Sequence, residues 1–338
     1  MTASRAGRAP TLAVTSGDPC GIGAEVVLGA LARPRPASRL IVVGDLAVYE
    51  RIARRRRRRL PAWRVVRAGD AAADPSASLV FLDVAHRARF LPGRSGAQAG
   101  AASLAYLEAA TALCESGVAR GLVTAPVTKW AIRRSQPRFV GHTEFLIERF
   151  GVRDVAMMFA SDALRVVLLT RHLPLRAVPP ALTREAITST IRLTVDGLRR
   201  QFRIARPRLA VCGLNPHAGE RGAFGDHERR VMEPALRRLR REGIRCDGPL
   251  AADGFFATRA KYDAVVACYH DQGLIPFKLL ARDAGCQVSL GLPIVRTSPD
   301  HGSALEIAGK GLANPGSMAY AIGLASTLAR RRSSRSAN

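Results

Sequence analysis

The chain has seven histidines, and three of them share a setting. His172 follows Arg165-Val-Val-Leu-Leu-Thr-Arg, His217 follows Leu209-Ala-Val-Cys-Gly-Leu-Asn-Pro, and His270 follows Asp263-Ala-Val-Val-Ala-Cys-Tyr. Each comes at or just past the end of an apolar, β-rich run. In open α/β sheets that edge is where ligands bind. Imidazole is the commonest metal ligand, and three of them leave coordination positions open for a substrate. The spacings, 45 and 53 residues, match no local metal motif, so the pattern by itself favours loop histidines bonded to backbone over a three-histidine site. His86 and His227 (beside Asp226 and Glu228) read as solvated positions.

Other clusters add polar chemistry. Gly141-His142-Thr143-Glu144 sets a titratable ring and a hydroxyl at a helix start. Asn215–Glu220 and Tyr269–Gly273 are dense polar segments beside apolar runs. Lys278 and Arg296, each near a strand end, suit a phosphate or a carboxylate; each also suits a surface ion pair. Thr15-Ser-Gly-Asp-Pro-Cys-Gly-Ile-Gly-Ala-Glu25 joins a strand to a helix through three glycines. Its backbone amides could cradle an anion, or the segment could be a tight structural turn. It is neither the dinucleotide fingerprint, which requires a third glycine where Val26 stands, nor a Walker loop.

The elements that would position these residues alternate along the chain. Strand-like runs occur at Leu12–Thr15, Leu40–Gly44, Leu79–Asp83, Gly121–Thr124, Val155–Ala160, Arg165–Thr170, Leu209–Leu214 and Asp263–Tyr269. Amphipathic stretches lie between them: Thr183–Phe202, a segment opening at Asp226 and running through Leu239, and one from Asn314-Pro315 to Leu328. Such alternation predicts an α/β fold with a mostly parallel sheet core. A length of 338 residues and a 47% apolar composition are enough for two domains and exclude a disordered chain. No run approaches a membrane span, and Met1–Pro10 leads into no hydrophobic signal region, so a cytoplasmic protein is expected. The six cysteines, at 20, 114, 212, 246, 268 and 286, form no C-x-x-C pair and read as reduced core thiols. The net charge is +25, and lysine occurs only at 129, 261, 278 and 310. The excess is therefore arginine, including the run Arg54–Arg59 and the tail around Arg330–Arg332 and Arg335. No finger, helix-turn-helix or aromatic-interleaved basic motif accompanies it, so drift toward arginine on a solvated surface outweighs specific nucleic-acid binding. A polyanion-binding protein is the alternative of another class.

Taken together, TSGDPCGIGAE (15–25), VTAPVTK (123–129), GHTEFL (141–146), LRVVLLTRHLPL (164–175), GLNPHAGE (213–220), YHDQGLIPFK (269–278) and LGLPIVRTSPDHGSALEIAGKG (290–311) resemble the 4-hydroxythreonine-4-phosphate dehydrogenase family of vitamin B6 biosynthesis. The resemblance covers nearly the whole chain. It implies a two-domain α/β fold like that of isocitrate and isopropylmalate dehydrogenases, with an interdomain cleft. The first domain would comprise about 1–135 plus 302–338, and the second about 136–301. It implies a homodimer whose active site is shared at the subunit interface, with His172 and His217 from one subunit and His270 from the other holding a divalent metal (zinc, magnesium, cobalt or manganese). Substrate positions would be His142, Thr143, Lys278, Gln287 and Arg296, with Asp253 and Asp271 in support. The cofactor would be NAD or NADP, bound without the usual fingerprint. The implied reaction is oxidation of 4-phosphohydroxy-L-threonine to 2-amino-3-oxo-4-phosphooxybutanoate, which decarboxylates to 3-amino-2-oxopropyl phosphate on the way to pyridoxine 5'-phosphate. Gln287 replaces the family's usual Asn and Ala24 its usual Pro. Relatives acting on 4-phospho-D-threonate, D-erythronate derivatives or aromatic cis-dihydrodiols are the alternatives within the superfamily.

Overall fold

The computed structural model describes residues 9–34, 37–67, 77–86, 88–258 and 262–333. The first eight residues, Lys261 and the tail position Arg335 lie outside them. The strands are β1 (Thr11–Thr15), β2 (Arg39–Gly44), β3 (Arg64–Arg67), β4 (Leu79–Asp83), β5 (Gly121–Thr124), β6 (Ala156–Ser161), β7 (Arg165–Leu168), β8 (Arg208–Cys212), β9 (Arg245–Leu250), β10 (Ala264–Ala267), β11 (Gly285–Leu290) and β12 (Val295–Pro299). The fold is α/β and its sheets are mostly parallel. The chain forms two compact units, Met1–Gly151 with Leu292–Asn338, and Val152–Gly291. Both divisions fall at glycines with positive φ, Gly151 (60°) and Gly291 (107°). They differ from the expected 135/136 and 301/302: the helix His142–Phe150 and β12 belong to the first unit.

In the first unit the strand order is β3-β4-β2-β1-β5-β12, with every neighbouring pair parallel. β1, β2, β4 and β5 are near-continuous buried apolar runs, as strands covered on both faces require. The order reverses between β1 and β5, so the loops after Thr15 and Thr124 open at a topological switch point. Gly17 holds a φ of 68°, and a Cβ there would sit 2.3 Å from the Pro126 carbonyl oxygen.

In the second unit the order is β11-β6-β7-β10-β8-β9. β6 runs antiparallel to β11 and β7, whereas β7, β10, β8 and β9 are mutually parallel along the order. The core joins Val166, Leu168, Ala210, Cys212, Val265 and Ala267 of these strands to Leu274 and Phe277 of the helix His270–Ala281. The helix Arg184–Arg200 buries Ile187, Ile191, Val195 and Leu198, the stripe expected from its periodicity, and Thr183 caps it through the Ala186 amide at 3.1 Å.

Several elements escaped the sequence pattern, among them β3, β9, β11 and the helix Ala97–Glu115. β3 exposes three of its four residues, and β9 (RCDGPL) buries only Cys246 fully. The helix Ala97–Glu115 is alanine-rich, and its exposed side mixes Ala97 and Ala112 with Gln98, Glu108 and Glu115, so its polar face is diluted. The stretch expected to open at Asp226 begins as a π-turn, Glu228–Met232, before the α-helix Glu233–Arg241. All six cysteines are buried and free. Among the described residues no helix is long and apolar enough to cross a membrane.

Candidate active site

In the second unit β7, β10 and β8 are consecutive neighbours, and His172, His217 and His270 leave their C-terminal ends. The rings of His172 and His270 lie 5.5 Å apart, centroid to centroid. His270 is the first residue of its helix, and its Nδ1 lies 2.7 Å from Asp271 Oδ1. Such a carboxylate fixes the ring tautomer and leaves Nε2 facing outward for a ligand. The helix presses this close to the sheet because residue 273 is glycine: a Cβ there would meet Val166 Cγ1 at 2.6 Å. His217 stands in an exposed loop with its ring 6.0 Å from that of Phe224. Among the described residues of one chain, no group of three His, Cys, Asp or Glu side chains converges as a complete metal cage. The donor chemistry of the His172–His270 pair, backed by Asp271, nevertheless fits a divalent ion that completes its coordination elsewhere.

Lys278 is exposed in the last turn of the same helix, Gln287 is buried on β11 with Nε2 donating to Ser289 Oγ at 3.1 Å, and Asp253 is exposed in the first turn of the helix Ala252–Thr258. Three polar residues that carried no assignment in the sequence bind the histidine loops together. Gln272 Nε2 donates to the Gly213 carbonyl at 2.7 Å, and its Oε1 accepts the Cys268 amide at 2.6 Å. Glu228 is not solvated: it is 2% exposed and accepts both the backbone N–H and the side-chain N–H of Asn215. The only advance sign was that each polar segment abuts an apolar strand.

In the first unit, His142, Thr143 and Arg296 form a second cluster. Arg296 lies within β12 rather than after it, is 2% exposed, and donates to Thr124 Oγ1 at 2.7 Å at the end of β5. Thr143 is buried in the first turn of the helix His142–Phe150. His142 Nε2 is buried and has no hydrogen-bond partner among the described residues. Burial first, then the positive charges of Arg296 and Lys129, push the His142 pKa down to about 3. Its imidazole is therefore neutral at physiological pH, beside two cations. A buried guanidinium, a neutral ring with an open nitrogen and a hydroxyl suit an anionic, hydrogen-bonding ligand.

In the Thr15–Glu25 segment much of the backbone is bonded to the protein itself. The amides of Ser16, Asp18, Cys20, Gly21 and Ile22 all donate to protein oxygens. Asp18 accepts the Cys20 amide on one carboxylate oxygen and the Ser95 hydroxyl on the other. Arg54–Arg59 are exposed, and His86 is half-buried, its ring stacked loosely on Phe90 rather than solvated.

Residues 36–325 match the family model described as pyridoxal phosphate biosynthetic protein PdxA. A 4-hydroxythreonine-4-phosphate dehydrogenase of Ruegeria sp. is 43% identical over 333 residues, covering 96% of this chain and 99% of the relative. The crystal structure of the 4-hydroxythreonine-4-phosphate dehydrogenase of Klebsiella pneumoniae is 37% identical, with a TM-score of 0.84 over 97% of this chain and 100% of that one. A terephthalate 1,2-cis-dihydrodiol dehydrogenase of Burkholderia xenovorans is 35% identical, with a TM-score of 0.64 over 95% and 98% of the two chains. By sequence over almost its full length and by fold, the chain belongs to the 4-hydroxythreonine-4-phosphate dehydrogenase (PdxA) family and is an enzyme of that family.

Proposed function

We propose that the enzyme oxidises the secondary alcohol of 4-phosphohydroxy-L-threonine with NAD or NADP and a divalent metal. The hydride passes to the nicotinamide and the hydroxyl proton is released. The product, 2-amino-3-oxo-4-phosphooxybutanoate, is a β-keto acid and loses CO2 to give 3-amino-2-oxopropyl phosphate, toward pyridoxine 5'-phosphate. The observation that carries this reading is the placement of His172, His270 and His217 at the C-terminal ends of three neighbouring parallel strands, with Asp271 behind His270.

A divalent ion held by these imidazoles would supply Lewis acidity to the reacting hydroxyl and ketone. The chain's own residues do the rest. Arg296 and Lys278 neutralise the phosphate, and Arg296 does so from a buried site where its charge is weakly screened. Neutral His142 offers a hydrogen bond without adding a third positive charge, and Thr143 adds a hydroxyl. Gln287 sets the reach at one substrate position. Asp271 orients His270, and Asp253 lies near the start of the preceding helix, Ala252–Thr258, as a supporting carboxylate.

In this reading the enzyme is a cytoplasmic homodimer that shares its metal between subunits, His172 and His217 on one and His270 on the other. The 5.5 Å approach of His172 and His270 within one chain puts that division to a direct test. Mixing inactive His172→Ala and His270→Ala subunits restores activity if the sites are shared. If subunits exchange without recovery, the site is complete in one chain.

The substrate reading is tested by reduced-nicotinamide formation from 4-phosphohydroxy-L-threonine, with chelated enzyme and after metal is returned. Metal-dependent turnover is expected. Folded, metal-loaded enzyme that turns over a phosphorylated sugar acid or an aromatic cis-dihydrodiol instead would overturn it. The similarity to the dihydrodiol dehydrogenase and the presence of Gln287 make those substrates the second reading.

A further inference from the structure

The loop that carries His217 has a backbone the chain would not adopt unaided. His217, Ala218, Gly219, Glu220 and Arg221 have φ of 49°, 53°, 83°, 41° and 56° in succession. Four of the five are not glycine. L-residues are unfavourable there because Cβ crowds the following carbonyl, and they occur as isolated residues, not as runs. Such a run persists only where the surroundings over-determine it.

The surroundings that do so centre on Glu228. Its carboxylate is buried, 2% exposed, and lies on the π-turn that follows the loop. Oε1 accepts the Asn215 backbone N–H at 2.7 Å and Oε2 accepts Asn215 Nδ2–H at 3.0 Å, so the residue two before His217 is gripped twice. The loop closes over this grip because Gly219 has no side chain: a Cβ there would lie 2.8 Å from Glu228 Oε2. One residue beyond β8, Gly213 is fastened in turn by Gln272, from the helix that begins with His270. A buried carboxylate is costly, and a buried apolar side chain in its place would not have to be desolvated. The charge-assisted bonds to Asn215 set that cost against a fixed loop geometry.

We infer that Glu228 is a positioning residue of the reaction centre: gripping Asn215 from beneath, it holds the left-handed loop that presents His217. The inference rests on the proposed ligand role of His217, and the experiment separates the two. In Glu228→Gln one oxygen still accepts from Asn215, but the new NH2 faces the second donor. Pairing it with Asn215→Asp turns that donor into an acceptor, restores the side-chain bond in reversed polarity while the backbone N–H still donates to the remaining oxygen, and keeps the net charge.

Three readouts are taken on the full-length enzyme: amide hydrogen exchange across residues 213–225, direct Co2+ affinity by chelator competition, and kcat against KM. Glu228→Gln is expected to speed loop exchange by about tenfold or more, as loss of a hydrogen bond to a charged group allows. It should weaken Co2+ binding by about 10–100-fold, the range for residues behind metal ligands. The Glu228→Gln/Asn215→Asp pair should recover most of both. Unchanged loop exchange in Glu228→Gln, or no recovery in the pair, overturns the positioning role. Should Glu228→Gln fail to fold, Asn215→Ala removes only the side-chain half of the grip. Faster loop exchange in it then supports the role, and unchanged exchange overturns it. His217→Ala provides the separate control: if it leaves Co2+ affinity intact while Glu228→Gln frees the loop and the pair rescues it, the ligand assignment of His217 fails and the grip on the loop stands.

Discussion

His142 can report whether the pocket around Arg296 is arranged for an anion. Its ring titrates near pH 6.5 when the chain is unfolded, and burial beside Arg296 and Lys129 pushes this down to about 3 in the native enzyme. Between those values the unfolded chain binds the proton and the native chain does not, so stability falls as pH is lowered through the window. Above about pH 6.5 the ring is neutral in both states and contributes no pH dependence. At one pKa unit per 1.36 kcal/mol, this single side chain costs about 2 kcal/mol at about pH 5 and approaches about 5 kcal/mol below pH 3. His142→Gln keeps a neutral, hydrogen-bonding side chain that cannot titrate. Urea unfolding of both proteins, at neutral pH and at about pH 5 and equal ionic strength, isolates the effect. The difference between them should move by about 2 kcal/mol in favour of the variant at the lower pH. Inorganic phosphate at saturating concentration should shrink that movement, because an anion offsets the two cations that help to depress the pKa. Parallel stabilities at the two pH values, within about 0.5 kcal/mol, would refute a ring held neutral by its surroundings.

Three further outcomes are expected. Asp271→Ala removes the carboxylate behind His270 and should lower divalent-metal affinity by about 10–100-fold, read by direct metal titration; unaltered affinity would separate Asp271 from any metal role. Arg296→Met removes a buried charge, so KM should rise by about 30-fold or more while Tm holds or increases; steady-state kinetics with a melting curve checks both signs. Gly273→Ala places a Cβ 2.6 Å from Val166 Cγ1 and should destabilise by about 1–3 kcal/mol, measured by denaturant unfolding.

The strands were legible where burial is two-sided. β4 (Leu79–Asp83) and β5 (Gly121–Thr124) coincide with their apolar runs, because a strand covered on both faces must be apolar throughout. β3 and β9 were not, since edge strands that fully bury a single residue each place few demands on their side chains. The helix Arg184–Arg200 showed its stripe, and Ala97–Glu115, with alanine on its buried and exposed sides alike, showed none. Among polar residues the signal failed in a consistent way. Glu228 stands in the sequence only as a neighbour of His227, and only its two bonds to Asn215 reveal a buried acceptor. In the glycine-rich turn after β1, five amides that an anion could have met donate to protein oxygens instead.

Residue order alone determined the alternation of strands and helices, the arrival of three histidines at strand ends, and the motifs that place the chain in its family. All of these are local: hydrophobic period and motif spacing act over a few residues. That β7, β10 and β8 lie side by side, so that histidines 45 and 53 residues apart leave one sheet edge, was decided by the tertiary structure. So were the burial of Arg296 within β12 beside Thr124, the neutral state of His142 and the left-handed loop around His217. Strand order, desolvation and backbone strain depend on which distant segments pack together, and only the folded chain contains that information.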